Sequence, residues 1–596
     1  MMPHMNTRIL FAMCLAAWCR LAVPPAAAAE FIDTQPDTWT ATDALGRTLP
    51  GHEEVGPVRP NKYVGIFYFL WLGQHHTDGP YNISEILTTQ PDAMERPTTN
   101  PWGPEYRFHH WGEPLFGYYR SDDAWVLRKH AQMLSDAGVD VVIFDVSNQE
   151  TYPKVYKKLC AVWMQVRQDG GRTPQIAFFG SFGDDRRILQ RLWDEFYSRN
   201  EYTDLWFHWK GKPLILAKPE HAPQPMRESF TFRPHGPDYF SPPTGPNQWQ
   251  WLQIYPQHGY YDEHGNIEEV SVSVAQNASG KRLCAFSEEN TYGRSWHDGA
   301  KDERPDAVLY GLNFAEQWKR ALELDPSFIY ITGWNEWIAL RLPEFWGVRK
   351  PVMFVDAFTQ EYSRDIEPMK GGHWDNYYYQ MIDGIRRFKG VRPPPPPAER
   401  TTIVIDGDFA DWANVQPDYR DDRGDAAHRD EPAYDKPGRY INRTGRNDFV
   451  QLKVAADDES VYFYARTAQP ISPHTDPHWM LLFIDVDNNP RTGGEGFDFR
   501  VNRDCPSPRT SSVHQTGADG VWTPVGTAVR SVRGNELELA IPRSVLNLSA
   551  DQPARFSFKW ADNIQKDNDP MEFTINGDAA PNARFKYVFA EKGRRR

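Results

Sequence analysis

Short apolar runs rich in β-branched and aromatic residues alternate with amphipathic segments through the first two thirds of the chain. The runs are Tyr63–Trp71, Val139–Asp145, Gln175–Phe179, Pro213–Ala217, Leu252–Tyr255, Val270–Val274, Phe328–Ile331 and Val352–Val355. Between several of them apolar positions recur at helical spacing, over Asp122–Ala137, Tyr152–Arg167, Asp185–Ser198, Asn313–Leu324 and Asn376–Phe388. Runs this short and this continuously apolar suit parallel strands covered by helices on their outer face. Eight of them predict a (β/α)8 TIM barrel rather than a doubly wound sheet, because no glycine-rich nucleotide fingerprint follows the first run.

Val391–Arg400 ends this alternation with five consecutive prolines, Pro393 to Pro397, which extend neither helix nor sheet. Beyond it the pattern becomes strand and turn, at 401–407, Ser460–Ala465, Trp479–Asp485, Glu536–Ile541 and Arg555–Trp560, as in an all-β sandwich. The expected organisation is a leader at 1–29, an α/β barrel domain at 30–390, a Pro-rich linker at 391–400 and a β-sandwich domain at 401–596.

The leader expectation rests on Arg8, the apolar stretch Ile9–Trp18 and the alanines Ala26–Ala29 before Glu30. It predicts export to a periplasmic or extracellular location. The stretch is too short for a membrane span, and no other segment is long or apolar enough. The formal charge of -14 becomes -16 without the leader, which removes Arg8 and Arg20 and no acid; nucleic acid is thereby excluded as an expected partner. Only Cys160, Cys284 and Cys505 follow the leader, giving no disulfide framework and no metal spacing. The 14% aromatic content, with 22 Trp and 27 Tyr, fits a protein that lays rings against saccharides, or an aromatic-rich barrel.

Glu336 is the most informative acid. It follows a strand and lies among Trp334, Asn335 and Trp337, the surroundings in which a sugar is stacked, read and protonated. A structural carboxylate beside core tryptophans is the alternative. In a barrel the residues just past each strand gather at one mouth. This brings Tyr68, Trp71, Asp145, Asn148, Glu220, Tyr255, Gln257 and Asn277 toward Glu336. Asp145 is the expected partner acid, since it ends an otherwise apolar strand; a helix cap near Thr151 is its structural alternative. His109 and His110 lack the HxH or HxxxH spacing of metal ligands and read as hydrogen-bonding wall residues. The loop Ser287–His297 contributes Glu288, Glu289, Arg294 and His297, with Arg294 placed to pair with an anionic substrate group.

The first module resembles the barrels of glycoside hydrolase families 71 and 99, over roughly Tyr63 to Gly390. The resemblance is carried by Trp334-Asn-Glu-Trp337, Phe354–Phe358, Ser363–Met369 and Asp375–Tyr379. Family 99 implies a catalytic Asn-Glu-Trp-x-Glu motif; Glu336 matches its first acid, whereas Ala339 stands at the second. The family's two-acid mechanism is therefore not carried over intact: either Asp145, Glu288, Glu289 or Glu344 supplies the second carboxylate, or the chain belongs to a separate family with its own chemistry. The second module resembles family 9 carbohydrate-binding modules and DOMON-like relatives, through Ile405–Trp412 and Leu482–Phe499. Asp485, Asp487 and Asn489 form an oxygen-rich set that fits a structural calcium or an Asx turn.

Together these features predict an exported glycoside hydrolase acting on a polysaccharide or oligosaccharide without a catalytic cofactor, with Glu336 as acid and Asp145 as base or nucleophile. A polysaccharide-binding protein on a decayed barrel is the rival, supported by Ala339. A glycan-transferring enzyme is a second rival, opposed by the leader and by the missing nucleotide fingerprint.

Overall fold

The computed structural model describes residues 32–33 and 36–593, apart from 76–78, 96–100, 237, 435–437 and 518–519. The leader expected at 1–29 lies outside the described residues.

Seven parallel strands organise the first module: β1 (Tyr63–Tyr68), β2 (Val141–Asp145), β3 (Gln175–Phe179), β4 (Lys212–Leu216), β5 (Thr231–Phe232), β6 (Ile267–Ser273) and β7 (Phe328–Thr332). Their order in space is β6-β7-β1-β2-β3-β4-β5, with short antiparallel strands Tyr260–Tyr261 and His208–Trp209 on β6 and β4. Helices α1 (Ala124–Asp136), α2 (Pro153–Gln168), α3 (Arg186–Glu195), α4 (Gln224–Ser229) and α5 (Leu312–Leu324) join successive strands, and α6 (Asn376–Lys389) follows β7. β2 is buried at every position, as its unbroken apolar sequence requires. The sheet is strongly curled. Phe179 on β3 and Tyr330 on β7 meet at 6.5 Å between ring centroids, although β1 and β2 separate their strands.

Two expected strands behave differently. Leu252–Tyr255 forms no strand, and the bond to Pro256 that follows offers no N–H for a ladder. Beside it, a single parallel bridge joins His235 to Trp249. Val352–Val355 lies instead at the end of an antiparallel hairpin, Ile338–Phe345 with Val348–Phe354, which pairs with Phe108–His110 in a separate four-stranded sheet.

The second module contributes eleven strands to one continuous twelve-stranded sheet, and a separate two-stranded hairpin. The large sheet doubles over, since Phe463 on Ser460–Thr467 meets Phe556 and Phe558 on the distant strand Arg555–Asp562 at 5.8 and 5.9 Å. The expected strand at 401–405 is extended chain outside the ladder. The modules interlock beyond the expected boundaries. Ile32–Asp33, assigned by sequence to the barrel module, pairs in parallel with Asp418–Tyr419, and Trp39 packs on Phe585 and Tyr587. In return the hairpin Arg429–Pro432/Arg439–Asn442 reaches the first module, where Arg429 bonds Asp123 at 2.6 Å and Tyr118 donates its N–H to the Tyr440 hydroxyl at 2.8 Å. The proline linker is fastened at both ends, through Arg392 to Asp37 and Ala398 to Ala590. Among the described residues no helix is long and apolar enough to cross a membrane.

Candidate active site

The chain leaving β7 is held against β1 by Asn335, whose Oδ1 accepts from the Phe69 N–H at 2.9 Å while Nδ2 donates to the Phe69 carbonyl at 3.2 Å. Glu336 comes next, with its N–H donating to Asp365 Oδ1 at 2.6 Å and its carbonyl accepting from the Trp111 indole at 3.2 Å. Trp111 stacks on Trp337 with centroids 4.4 Å apart, and Trp337 donates to Glu367 Oε2 at 2.5 Å. Glu367 also accepts from the Tyr119 hydroxyl at 2.7 Å and meets His130 Nε2 at 2.8 Å, while His130 Nδ1 lies 2.7 Å from the Tyr68 hydroxyl. This buried polar network fixes the turn that presents the Glu336 side chain, and each of its groups is satisfied by another.

Arg364 organises the charge. Its Nη2 lies 3.2 Å from Glu336 Oε2 and 3.6 Å from Asp356 Oδ1, and its Nη1 donates to Asn277 Oδ1 at 3.2 Å. The guanidinium is held over Trp251 and Phe286, 5.3 and 5.4 Å from their centroids. Burial drives the Glu336 carboxyl well above the usual range; Arg364 opposes the shift, and Asp356, Asp365 and Asp145 reinforce it. One guanidinium among four carboxylates cannot stabilise all of them as anions, so Glu336 holds its proton more tightly than an exposed glutamate does. Burial also raises Asp145, at the end of β2, to about 6, against the hydrogen bonds from Ser147. The two carboxyls are thereby suited to different roles, Glu336 as a group that holds its proton and Asp145 as one that ionises above about 6.

Rings line the approach. Trp71 lies 5.8 Å from Tyr152 and its buried indole N–H has no acceptor. On the other side Trp251 contacts Tyr239 at 5.8 Å and Phe182 at 5.9 Å. Phe182 is 54% exposed, an uncommon position for phenylalanine beside buried acids.

Several residues expected at the mouth serve the fold instead. Tyr68, Trp334, Asn335 and Trp337 are buried, in the support just described or packed beside it. His109 is fixed by the Arg107 and Trp102 carbonyls at 3.0 and 2.9 Å and stacks on Tyr81. His110 is enclosed by Tyr118 and Tyr434, and burial lowers its pKa to about 3, so it stays neutral. Arg294, expected to meet an anionic substrate, is fully buried; it donates to the Asp365 carbonyl at 2.7 Å and lies 4.4 Å from the Tyr377 ring centroid. Gln257 binds the Ser271 and Gln317 carbonyls at 3.1 and 3.0 Å. Glu288 is bonded to Arg282 at 2.8 Å, Glu344 to Arg349 at 2.5 Å, and His297 to Asp298 at 3.0 Å. Glu289, Glu220 and Asn148 are exposed, as is Tyr255 at 39%. Ala339 is buried on the hairpin opposite His109.

Of the expected residues, Glu336, Asp145 and Asn277 converge on Arg364, with Trp71 on the wall. Arg364, Asp356, Asp365, Tyr239, Trp251 and Phe182 were not singled out from the sequence. The one available signal was that Asp356, Arg364 and Asp365 lie within Phe354–Phe358 and Ser363–Met369, two of the segments that carry the family resemblance.

In the second module Asp485, Asp487 and Asp498 bring carboxylate oxygens within 4.8 Å of one another. Asn489 takes the turn position instead, its N–H donating to Asp487 at 2.7 Å and its Oδ1 accepting from Arg491 at 3.1 Å. Lys586 lies 2.7 Å from Asp485, so this set already carries a cation of its own.

No protein-family model and no curated protein matches the sequence. Among solved structures, the chain is similar to the GH99 endo-alpha-mannosidase from Bacteroides thetaiotaomicron at 15% identity, over 55% of this chain and 97% of that one, with a TM-score of 0.34. Its complex with BIS-TRIS-Propane gives 0.32 over the same shares. The second similarity is to a family 9 carbohydrate-binding module from Caldicellulosiruptor kristjanssonii in complex with glucose, at 13% identity over 34% of this chain and 96% of that one, with a TM-score of 0.18. These are the two families that the sequence resembles.

Proposed function

We propose that the chain is an exported glycoside hydrolase whose first module, a barrel of the (β/α)8 type, cleaves a glycosidic bond of a polysaccharide or oligosaccharide. The observation that supports it is the pair of buried carboxyls past the strand ends: Glu336, held by Arg364 and raised well above the usual range by burial, and Asp145, raised to about 6. Glu336 donates its proton to the departing glycosidic oxygen. Asp145 acts on the anomeric side, as base toward water or as nucleophile. The aromatic walls hold the sugar faces, and Arg364 steadies Glu336 once it has given up the proton. The second module is proposed to carry the carbohydrate-binding role its resemblance implies; calcium at the Asp485 group is not part of the proposal, because Lys586 already pairs with Asp485.

The test is incubation of the full chain and its Glu336→Gln variant with plant, algal and microbial polysaccharides, reading new reducing ends and product masses. Products from the parent protein alone support the assignment; equal turnover by the variant sinks it. A polysaccharide-binding protein without turnover is the second reading, favoured by the buried Ala339 in place of a second motif acid. Binding by both proteins with no products from either would select it.

A further inference from the structure

The junction of the modules holds a second group of acids that the proposed chemistry does not use. Asp421, Asp425 and Asp578 each offer a carboxylate oxygen, all within 4.8 Å of one another. That spacing is the span between opposite ligands of a calcium ion, whose oxygens stand at roughly 2.3 to 2.6 Å. Asp425 is only 5% exposed. Its Oδ2 accepts from Gln132 of α1 at 2.6 Å, but its Oδ1 and both oxygens of Asp421 are buried without any hydrogen bond. Buried carboxylate oxygens without donors are costly and in native proteins mark a missing partner.

Side-chain cations act on the group only without direct pairing, Lys559 on Asp421 and Lys129 on Asp578. The nearby guanidiniums of Arg172 and Arg128 pair elsewhere, 4.0 Å from Asp136 and 3.1 Å from Asp169. Lys559 turns its ammonium to the Pro581 carbonyl. Among the described residues no cationic nitrogen comes within the 4.0 Å of an ion pair for any of the three acids. Asp136, Asp422 and Asp448 place further carboxylates beside Asp425. A cavity of about 480 Å³ opens beside the group, lined by Asp136, Asp421 and Asp422 together with Arg172, Arg420, Arg423 and Arg466, and gives an ion a way in.

We propose that Asp421, Asp425 and Asp578 bind a divalent cation, calcium by their all-oxygen donor set, and that this ion fastens the second module to α1 of the first. The link to α1 runs through Gln132, bonded to Asp425, and through Asp136, which accepts from Asn582 at 3.2 Å. The site is distinct from the Asp485 group, which has Lys586, and does not depend on the proposed hydrolase activity.

The experiment is calorimetric titration of the EDTA-treated full chain with CaCl2 and with MgCl2, alongside thermal unfolding and amide hydrogen exchange with and without calcium. Calcium is expected to bind, to bind more tightly than magnesium, and to raise the melting temperature by several degrees. The Asp421→Asn/Asp425→Asn variant should lose one calcium equivalent and that increment, while Asp487→Asn keeps both. Calcium should also slow exchange in Ala124–Asp136 of the first module as well as in 418–425. No binding by the parent chain overturns the proposal even if the double variant fails to fold. So does a folded double variant that keeps full stoichiometry. Protection confined to the second module overturns the fastening role.

Discussion

Arg364 Nη2 stands 3.2 Å from Glu336 Oε2 and is the sole hydrogen-bond donor to that carboxylate among the described side chains. The contact lets a buried acid give up its proton during turnover without leaving an isolated anion, while burial keeps the proton in place beforehand. Removing the cation must therefore disfavour ionised Glu336 further. In Arg364→Met the alkaline limb of the kcat profile is expected to move to higher pH, with kcat reduced at least tenfold. Arg364→Lys should keep the limb nearer its original place yet lose rate, because an ammonium cannot hold Glu336 and Asn277 with one planar fork. A downward shift of the limb in the Met variant would mean that Arg364 does not act through Glu336.

Asp145 sets the other limb. Its carboxyl is raised to about 6, and the base must be ionised, so kcat/KM is expected to rise with pH through about 6. Asp145→Asn should remove this limb and lower kcat by roughly 10²- to 10⁴-fold. An unchanged acidic limb in that variant would assign the base elsewhere, with the half-exposed Asp356, which shares Arg364 Nη2 with Glu336, next in line.

The same burial has a consequence for stability. Glu336 is raised in the folded protein, so the folded state binds its proton more tightly than the unfolded chain. Its contribution is fully present below the unfolded value, about 4.3, and is lost as pH rises toward the folded one. Glu336→Gln cannot ionise and should flatten this slope. Urea unfolding at pH 5 and pH 8 is expected to show the variant gaining on the parent at the higher pH; a parallel pair of curves would contradict the retained proton.

Glu367 offers the contrasting case of an acid that holds the fold. Trp337, Tyr119 and His130 all converge on it, at 2.5, 2.7 and 2.8 Å, in a region closed to solvent. Glu367→Ala strands these groups and is expected to cost about 3 to 5 kcal/mol in urea unfolding, the range for breaking a buried charged network. Glu336→Gln should fall far short of that loss.

The difference between these two acids explains how much of the site could be read from the sequence. A carboxylate between tryptophans was legible at 336, but its neighbours turn the other way: on a tight turn adjacent side chains face opposite sides, so Trp334 and Trp337 enter the core while Glu336 faces the mouth. Arg294 and Arg364 are chemically alike, and only packing decides that the first lies beneath the loop and the second beside the acid. The parallel strands β1 to β4, β6 and β7 were legible because each is a continuous apolar run. Val352–Val355 has the same composition and forms a hairpin instead, since a short apolar run carries no information about its partner. The pairing of Ile32–Asp33 with the second module depends on a contact hundreds of residues away, beyond what local pattern can show.

Phe182 lies outside every apolar run, and its position makes the most discriminating prediction about substrate contact. Its ring is 5.9 Å from Trp251, which carries Arg364 on its π system at 5.3 Å, so a sugar ring laid on Phe182 lies on an aromatic path that ends at Glu336. A phenylalanine 54% exposed contributes little to the core, and Phe182→Ala is expected to change unfolding stability by no more than about 0.5 kcal/mol. Loss of one stacked sugar should instead weaken binding by about 1.4 kcal/mol, a tenfold change in affinity. KM for a long glycan should therefore rise about tenfold with kcat nearly unchanged, whereas a substrate too short to reach the ring should show no effect. A fall in kcat at constant KM would place Phe182 in the chemical step rather than in substrate binding.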